Sequence, residues 1–318
     1  MNAIRSLEPQ PPQSVAEAAG RLRDNLATMV VVRPAVLDVL LAGLFAGGHV
    51  LLTDVPGVGK TLLAKALAAS IDGTFRRVQL TPDLLPADIT GSSIYNQRTG
   101  EFSFLPGPLF ANVVLADELN RATPRTQSAL LEAMGERQVT VDGATHMLPD
   151  PFFVIATQNP VETYGTFPLP EAELDRFVVS LSLGYPDTEA AVRILELEEH
   201  GEAEPAPVLS IDDVLHAQAT ARAVAVAPAV KRYVVGLVEA SRVHAEVALG
   251  ASPRAAVALQ RTAQAWAAMQ GRPFVTPDHV KAVASAVLSH RLLLATVRGG
   301  ASGERVVADL LQSVPVPL

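Results

Sequence analysis

A lysine, a threonine and three carboxylate or amide side chains at the ends of apolar runs are the residues here that could do chemistry together. In "LLTDVPGVGKTLLAKAL", Leu51 to Leu67, an apolar run passes into a turn (Val55, Pro56, Gly57, Val58, Gly59) and then a helical pattern. Glycines let consecutive backbone N–H groups converge on phosphate oxygens, and a helix N-terminus adds its dipole. Lys60 would reach the β- and γ-phosphates and Thr61 would ligate Mg²⁺. Leu62, Leu63, Ala66 and Leu67 follow at helical spacing, as in a buried helix behind such a loop, with Leu62 closing the nucleotide-contacting stretch.

The pattern G-x-x-x-x-G-K-[ST] has glycine where this chain has Asp54. Aspartate is among the better-tolerated residues at positive φ. Pointed inward, its charge would weaken ATP binding without abolishing it. The favoured expectation is that Asp54 ends the strand and its side chain points away.

A second apolar run, "VVLADE", ends in Asp117 and Glu118. Asp117 would hold Mg²⁺, mostly through water, and Glu118 would orient and polarise an attacking water. A third, "IATQNP", brings Asn159 to a strand end, where its amide could hold that water and touch the γ-phosphate. Phosphoryl transfer also needs positive charge on the transition state, and another subunit can supply it. Arg176 in "LPEAELDRF" and Arg254 in "GASPRA" are the candidates. Arg254 follows Ser252-Pro253, a helix-start signal, and could report the γ-phosphate to the second domain.

The elements that must position these residues follow from periodicity. Strands are expected at His49 to Thr53, 76–80, 112–117, 152–157 and 176–183, and helices at 14–28, 34–46, 60–71 and 124–134. Strands alternating with helices indicate an α/β domain with a mainly parallel sheet, whose ligands bind beyond the strands' C-terminal ends. A Gly/Pro hinge signal at "GYPD" (184–187) precedes helical patterns at 188–199, 210–219, 228–247, 253–270, 276–288 and 302–312, read as a smaller all-helical domain. Residues 1–13 are Pro/Gln-rich and expected to be disordered. The expected division is a tail (1–13), an α/β core (14–184) and a helical domain (185–318).

Composition limits the alternatives. The 318 residues are 49% hydrophobic, enough for two domains. No apolar run reaches membrane-spanning length and the first residues lack a secretory pattern, so a cytoplasmic protein is expected. There are no cysteines, which excludes disulfides and thiolate metal sites. The net charge of −8 and the scattered arginines, such as Arg76 and Arg77, argue against nucleic acid as a partner. The seven histidines show no metal-ligand spacing and are expected at the surface or on helices.

Taken together these stretches resemble the AAA+ ATPases, and within them the MoxR family. The resemblance runs from about residue 15 to the end. It includes "TPDLLPADITG" (81–91), "LPGPLF" (105–110), "DELNRATPRTQSALLEAMGERQVT" (117–140), "VIATQNPVETYGTFPLPEAELDRF" (154–177) and "GASPRA". It implies a P-loop NTPase αβα sandwich followed by a helical lid. Asn159 becomes sensor 1, Arg176 a finger reaching a neighbouring subunit and Arg254 sensor 2. It further implies a ring, usually a hexamer, with ATP and Mg²⁺ at subunit interfaces. Such proteins act as chaperone-like remodellers, often with partners containing von Willebrand factor A domains.

The resemblance also implies an insert at about 81–108 and a hairpin at about 136–149. Neither is basic. Tyr95, Phe102, Phe104 and Leu105 could either grip a client protein or pack the insert. Two other functions remain open: an ATP-gated binding module with little hydrolysis, supported by Asp54, and a magnesium-chelatase-like motor subunit.

Overall fold

The computed structural model describes residues 12–54, 57–98, 100–159, 165–200, 206–295 and 302–317. All but two residues of the expected disordered tail lie outside them. Two helices come first, α1 (Val15–Met29) and α2 (Pro34–Phe45). The Ser14 hydroxyl caps α1 by accepting the N–H of Glu17, and Pro34 opens α2, where a missing N–H costs nothing.

The chain then runs through β1 (His49–Thr53), α3 (Lys60–Ser70), β2 (Phe75–Gln79), α4 (Pro86–Thr90), β3 (Gly91–Asn96), β4 (Glu101–Pro106) and β5 (Val113–Asp117). Next come α5 (Pro124–Glu136), β6 (Gln138–Val141), β7 (Ala144–Met147), β8 (Phe153–Gln158), α6 (Glu171–Leu174) and β9 (Phe177–Leu181). Five of the strands form one parallel sheet in the order β2-β5-β8-β1-β9.

The sheet's burial explains its sequences. Central β5 is buried along its whole length and reads as an unbroken apolar run, as a strand covered on both faces should. Edge strand β2 exposes Arg76, Arg77 and Gln79, which discourages pairing with another chain. Side chains alternate between faces. Val50, Leu52, Val113, Leu115, Phe153 and Ile155 share one core with α1, α2 and α3. Leu51, Val114, Ala116, Val154 and Ala156 share a second core with Leu130, Leu131 and Met134 of α5. The result is a helix–sheet–helix sandwich.

Two hairpins stand off the sheet, β3–β4 and β6–β7. Tyr95 and Phe102 pair their rings on the exposed side of the first, with Leu105 also exposed. Phe104 packs against Phe110 and stacks on His146 of the second hairpin. The insert's aromatics therefore divide between packing and exposure.

Helices dominate the remainder: α7 (Thr188–His200), α8 (Ile211–Ala223), α9 (Pro228–Val243), α10 (Pro253–Met269), α11 (Pro277–Leu288) and α12 (Gly303–Ser313). A short antiparallel ribbon of β10 (Val247–Leu249) and β11 (Leu293–Leu294) joins them. Lid side chains such as Val214, Leu259, Val283 and Val306 extend the core built on α1 and α2. No helix among the described residues is long and apolar enough to cross a membrane.

Candidate nucleotide site

Parallel register decides which residues meet. Leu52 lies beside Thr157 and Thr53 beside Gln158, while Ala116 lies beside Ala156. The C-terminal ends of β1, β8 and β5 therefore align, and Asp54, Asn159 and the Asp117-Glu118 pair emerge along one edge of the sheet. Sheets of this kind bind ligands at that edge.

Val55 and Pro56, two of the expected loop contacts, lie outside the described residues. Gly57 and Gly59 both have φ +86°. A Cβ on either would meet nothing within 4 Å, so glycine is required here by backbone conformation and not by space. Gly59 caps α3, and Val58 is half-buried beside it. The Lys60 Nζ donates to the backbone carbonyl of Asp54 at 3.2 Å, and Thr61 sits half-buried in the first turn of α3. Leu63, Ala66 and Leu67 are buried as expected, but Leu62 is 36% exposed. It departs from the buried stripe because it lines a cavity beside the loop.

That cavity has a volume of about 580 Å³, within the range of small-molecule sites. The loop and α3 form one wall, residues 28–34 a second, and Leu183, Gly184, Tyr185 and α7 a third. The second wall carries no motif, and in the third the sequence marked only "GYPD" (184–187), as a hinge signal and not as part of a site.

Asp54 is 4% exposed and turns away from the loop. Its carboxylate accepts the Ser182 hydroxyl at 2.7 Å, the Leu183 N–H at 2.7 Å and the Gly184 N–H at 3.1 Å. The inward orientation weighed from the sequence is not the one adopted.

At the tip of β5 both Asp117 oxygens are engaged. Oδ1 accepts the Thr157 hydroxyl at 2.7 Å, and Oδ2 accepts Arg77 at 2.7 Å. Glu118 has φ +58°, a strained conformation for a non-glycine residue and one that gathers at functional sites. Its N–H donates to the Thr157 hydroxyl at 2.8 Å, and its carboxylate pairs with Arg121 at 3.2 Å. Thr157 thus fixes both acidic residues, a role no motif announced. Asn159 is 6% exposed at the end of β8, and its carbonyl accepts Asn120 Nδ2 at 3.4 Å.

The donors suit Mg²⁺. No cluster of three or more His, Cys, Asp or Glu residues suited to a metal occurs among the described residues. Of the hydroxyls and carboxylates at this edge, Thr61 at the start of α3 and Asp117 at the tip of β5 are the two that the loop and strand-end motifs would turn to a cation. Magnesium is commonly held by so few protein oxygens, with water and phosphate completing its shell.

Arg176 and Arg254 lie elsewhere. Arg176 precedes β9, so it stands at that strand's N-terminal end, about five residues or ~17 Å from the edge carrying the loop. Its Nη1 donates to the Leu131 carbonyl at 2.6 Å, and its buried Nε has no partner. A Cβ on Gly135 would collide with the guanidinium, so glycine there leaves it room. Arg254 is exposed at the start of α10, whose cap Ser252 donates to the carboxylate of Asp175. Asp175 also pairs with Arg291 at 2.7 Å, and Arg291 donates onward to the Phe177 carbonyl at 2.5 Å. Both arginines are therefore separated from the chain's own loop. The sequence identified them but not Asp175 and Arg291, which fasten this part of the lid to the start of β9.

A glycine-rich loop between an inner strand of such a sheet and the helix after it, followed along the chain by a helical lid, is the arrangement of the AAA+ ATPases. The family model described as "ATPase family associated with various cellular activities (AAA)" matches residues 49–179, and the AAA lid domain matches 239–310. The Bacillus subtilis (strain 168) protein YeaC is 46% identical over 94% of this chain and 95% of its own. Chaperone MoxR1 of Mycobacterium tuberculosis is 42% identical over 91% of this chain and 80% of its own. Protein MoxR of Methylorubrum extorquens is 32% identical over 94% of each. A solved structure of a presumed ATPase from Cytophaga hutchinsonii superposes with a TM-score of 0.89 at 38% identity, covering 96% of each chain. The chain belongs to the MoxR family of AAA+ ATPases.

Proposed function

We propose that this protein is a Mg²⁺-dependent ATPase that assembles into a ring, a hexamer in the family's usual form, and remodels other proteins as a cytoplasmic chaperone. The observation that carries the reading is the convergence of Gly57, Gly59, Lys60, Thr61, Asp117, Glu118 and Asn159 on adjacent strand ends. The loop amides and Lys60 hold the phosphates, and the base and ribose lie in the cavity beside Leu62. Thr61 and Asp117 would hold Mg²⁺, which neutralises charge on the phosphates when bound. Glu118, released from Arg121, orients a water in line with the γ-phosphate, and Asn159 holds that water in place.

The positions of Arg176 and Arg254 support completion of each site by a neighbouring subunit. Neither is placed at its own loop. The exposed Tyr95, Phe102 and Leu105 support protein clients, and the resemblance to the MoxR family favours a partner containing a von Willebrand factor A domain. The gated-module alternative drew on Asp54, and that side chain's orientation removes its particular support.

Phosphate release tests the catalytic assignment. Glu118→Gln should lower turnover by about 10²–10⁴ while leaving ATP binding intact. Turnover equal to the wild type would remove Glu118 from the chemistry.

A further inference from the structure

We propose that Asp54 is a positioning residue that clamps the linker Ser182–Gly184 to the base of the phosphate loop, so that nucleotide affinity depends on its carboxylate. The inference rests on the nucleotide reading above. It turns the one departure from the loop pattern into a working part of the site.

The geometry is two-sided. On one side the Asp54 carboxylate accepts the Ser182 hydroxyl and the N–H groups of Leu183 and Gly184. On the other, Arg33 donates to the carbonyls of Ser182 at 3.2 Å and Leu183 at 3.4 Å. Asp54 thus holds three consecutive linker residues, and Arg33 holds the carbonyls of two of them. Arg33 belongs to the cavity's second wall, in the segment before α2, and Asp54 follows β1 just ahead of the loop that forms the first. The linker leaves the clamp at Gly184, whose φ of +71° begins the turn toward α7.

Asp54 can occupy this position because its φ is not positive, so the glycine of the loop pattern is not required there. Its main chain serves the other side of the site, where its carbonyl accepts Lys60 Nζ. The residue therefore joins the lysine expected on the phosphates to the wall expected against the base. A buried carboxylate that accepts three donors holds them more firmly than a neutral acceptor would.

The clamp and simple electrostatics predict opposite signs. A negative charge near phosphates should hinder binding, so its removal should tighten the complex. Loss of the clamp frees the linker wall and should weaken it. Asparagine keeps the shape but sets an amide N–H₂ against an N–H donor, and glycine removes the clamp altogether.

The test uses the full chain with mant-ADP in the absence of Mg²⁺. Affinity is measured by fluorescence titration at a temperature where circular dichroism shows each variant folded. Hydrogen exchange of residues 182–187 is followed in parallel. Asp54→Asn and Asp54→Gly should each weaken mant-ADP binding roughly tenfold and speed exchange at Leu183 and Gly184. Ser182→Ala keeps the charge, loses one donor, and should weaken binding by a smaller factor. Unchanged or tighter binding in the folded Asp54 variants overturns the inference, even if their melting temperature falls. If neither Asp54 variant folds, Ser182→Ala decides, and an unchanged Kd overturns it. Failure of the wild type itself to bind mant-ADP would remove the nucleotide reading and this inference together. Wild-type binding that the variants do not weaken removes the inference alone.

Discussion

His49 begins β1 with its Nε2–H donating to the Met134 carbonyl at 3.1 Å and its Nδ1 accepting the Val154 N–H at 3.1 Å. Burial pushes its pKa down from 6.5 to about 4, against the favourable Met134 contact and with some repulsion from Arg137. Burial lowers His279 and His290 in the same direction. A depressed histidine stays neutral in the folded chain while the unfolded chain takes up a proton. Its contribution is therefore complete above about pH 6.5 and is lost as pH falls toward 4, by roughly 3 kcal/mol for His49. Urea unfolding at pH 7.5 and pH 5 should show this loss, and His49→Gln should shrink the difference between the two. An equal difference in the variant would assign the pH dependence to other groups. The expectation of surface or helical histidines fails at His49, which opens the strand expected at His49 to Thr53 and is buried there. Its two partners lie on β8 and α5, far along the chain.

At the scale of elements, the attachment of the lid to the start of β9 centres on the Asp175–Arg291 pair, whose side chains are 11% and 2% exposed. His290 adds a hydrogen bond to the Phe177 carbonyl at 3.1 Å. Removing one member of a buried pair strands the other charge, so Asp175→Asn should cost about 3–5 kcal/mol in urea unfolding. Asp175→Asn combined with Arg291→Met should cost less than the sum of the two single changes. Additive costs would mean that the groups act independently. The five sheet strands and the long helices were legible because apolar alternation and helical spacing follow burial directly. The ribbon β10–β11 was not, since two or three residues are too few to show a period. Asp175, Ser252 and Arg291 are joined only by tertiary packing, and nothing local marks them as partners.

The whole molecule is acidic, and Arg77, one of the few arginines near the site, is committed to Asp117. Single- or double-stranded DNA should therefore leave ATP turnover unchanged at physiological salt, whereas clear stimulation would point to a nucleic-acid substrate. Most of the site was legible because the loop, the acidic pair and Asn159 sit at strand ends, where sequence position fixes location. The contacts of Arg176 with α5 and the position of Arg254 at the start of α10 depend on tertiary packing, which no spacing encodes. The proposal that a neighbour completes each site makes assembly a condition of catalysis. The most direct measurement is Mg·ATP turnover per subunit against protein concentration, for the wild type and for Arg176→Ala. Turnover should rise with concentration to a plateau in the wild type, and at that plateau the variant should be lower by about 10³–10⁵. Turnover per subunit that is independent of concentration, and equal in the variant, would contradict the account.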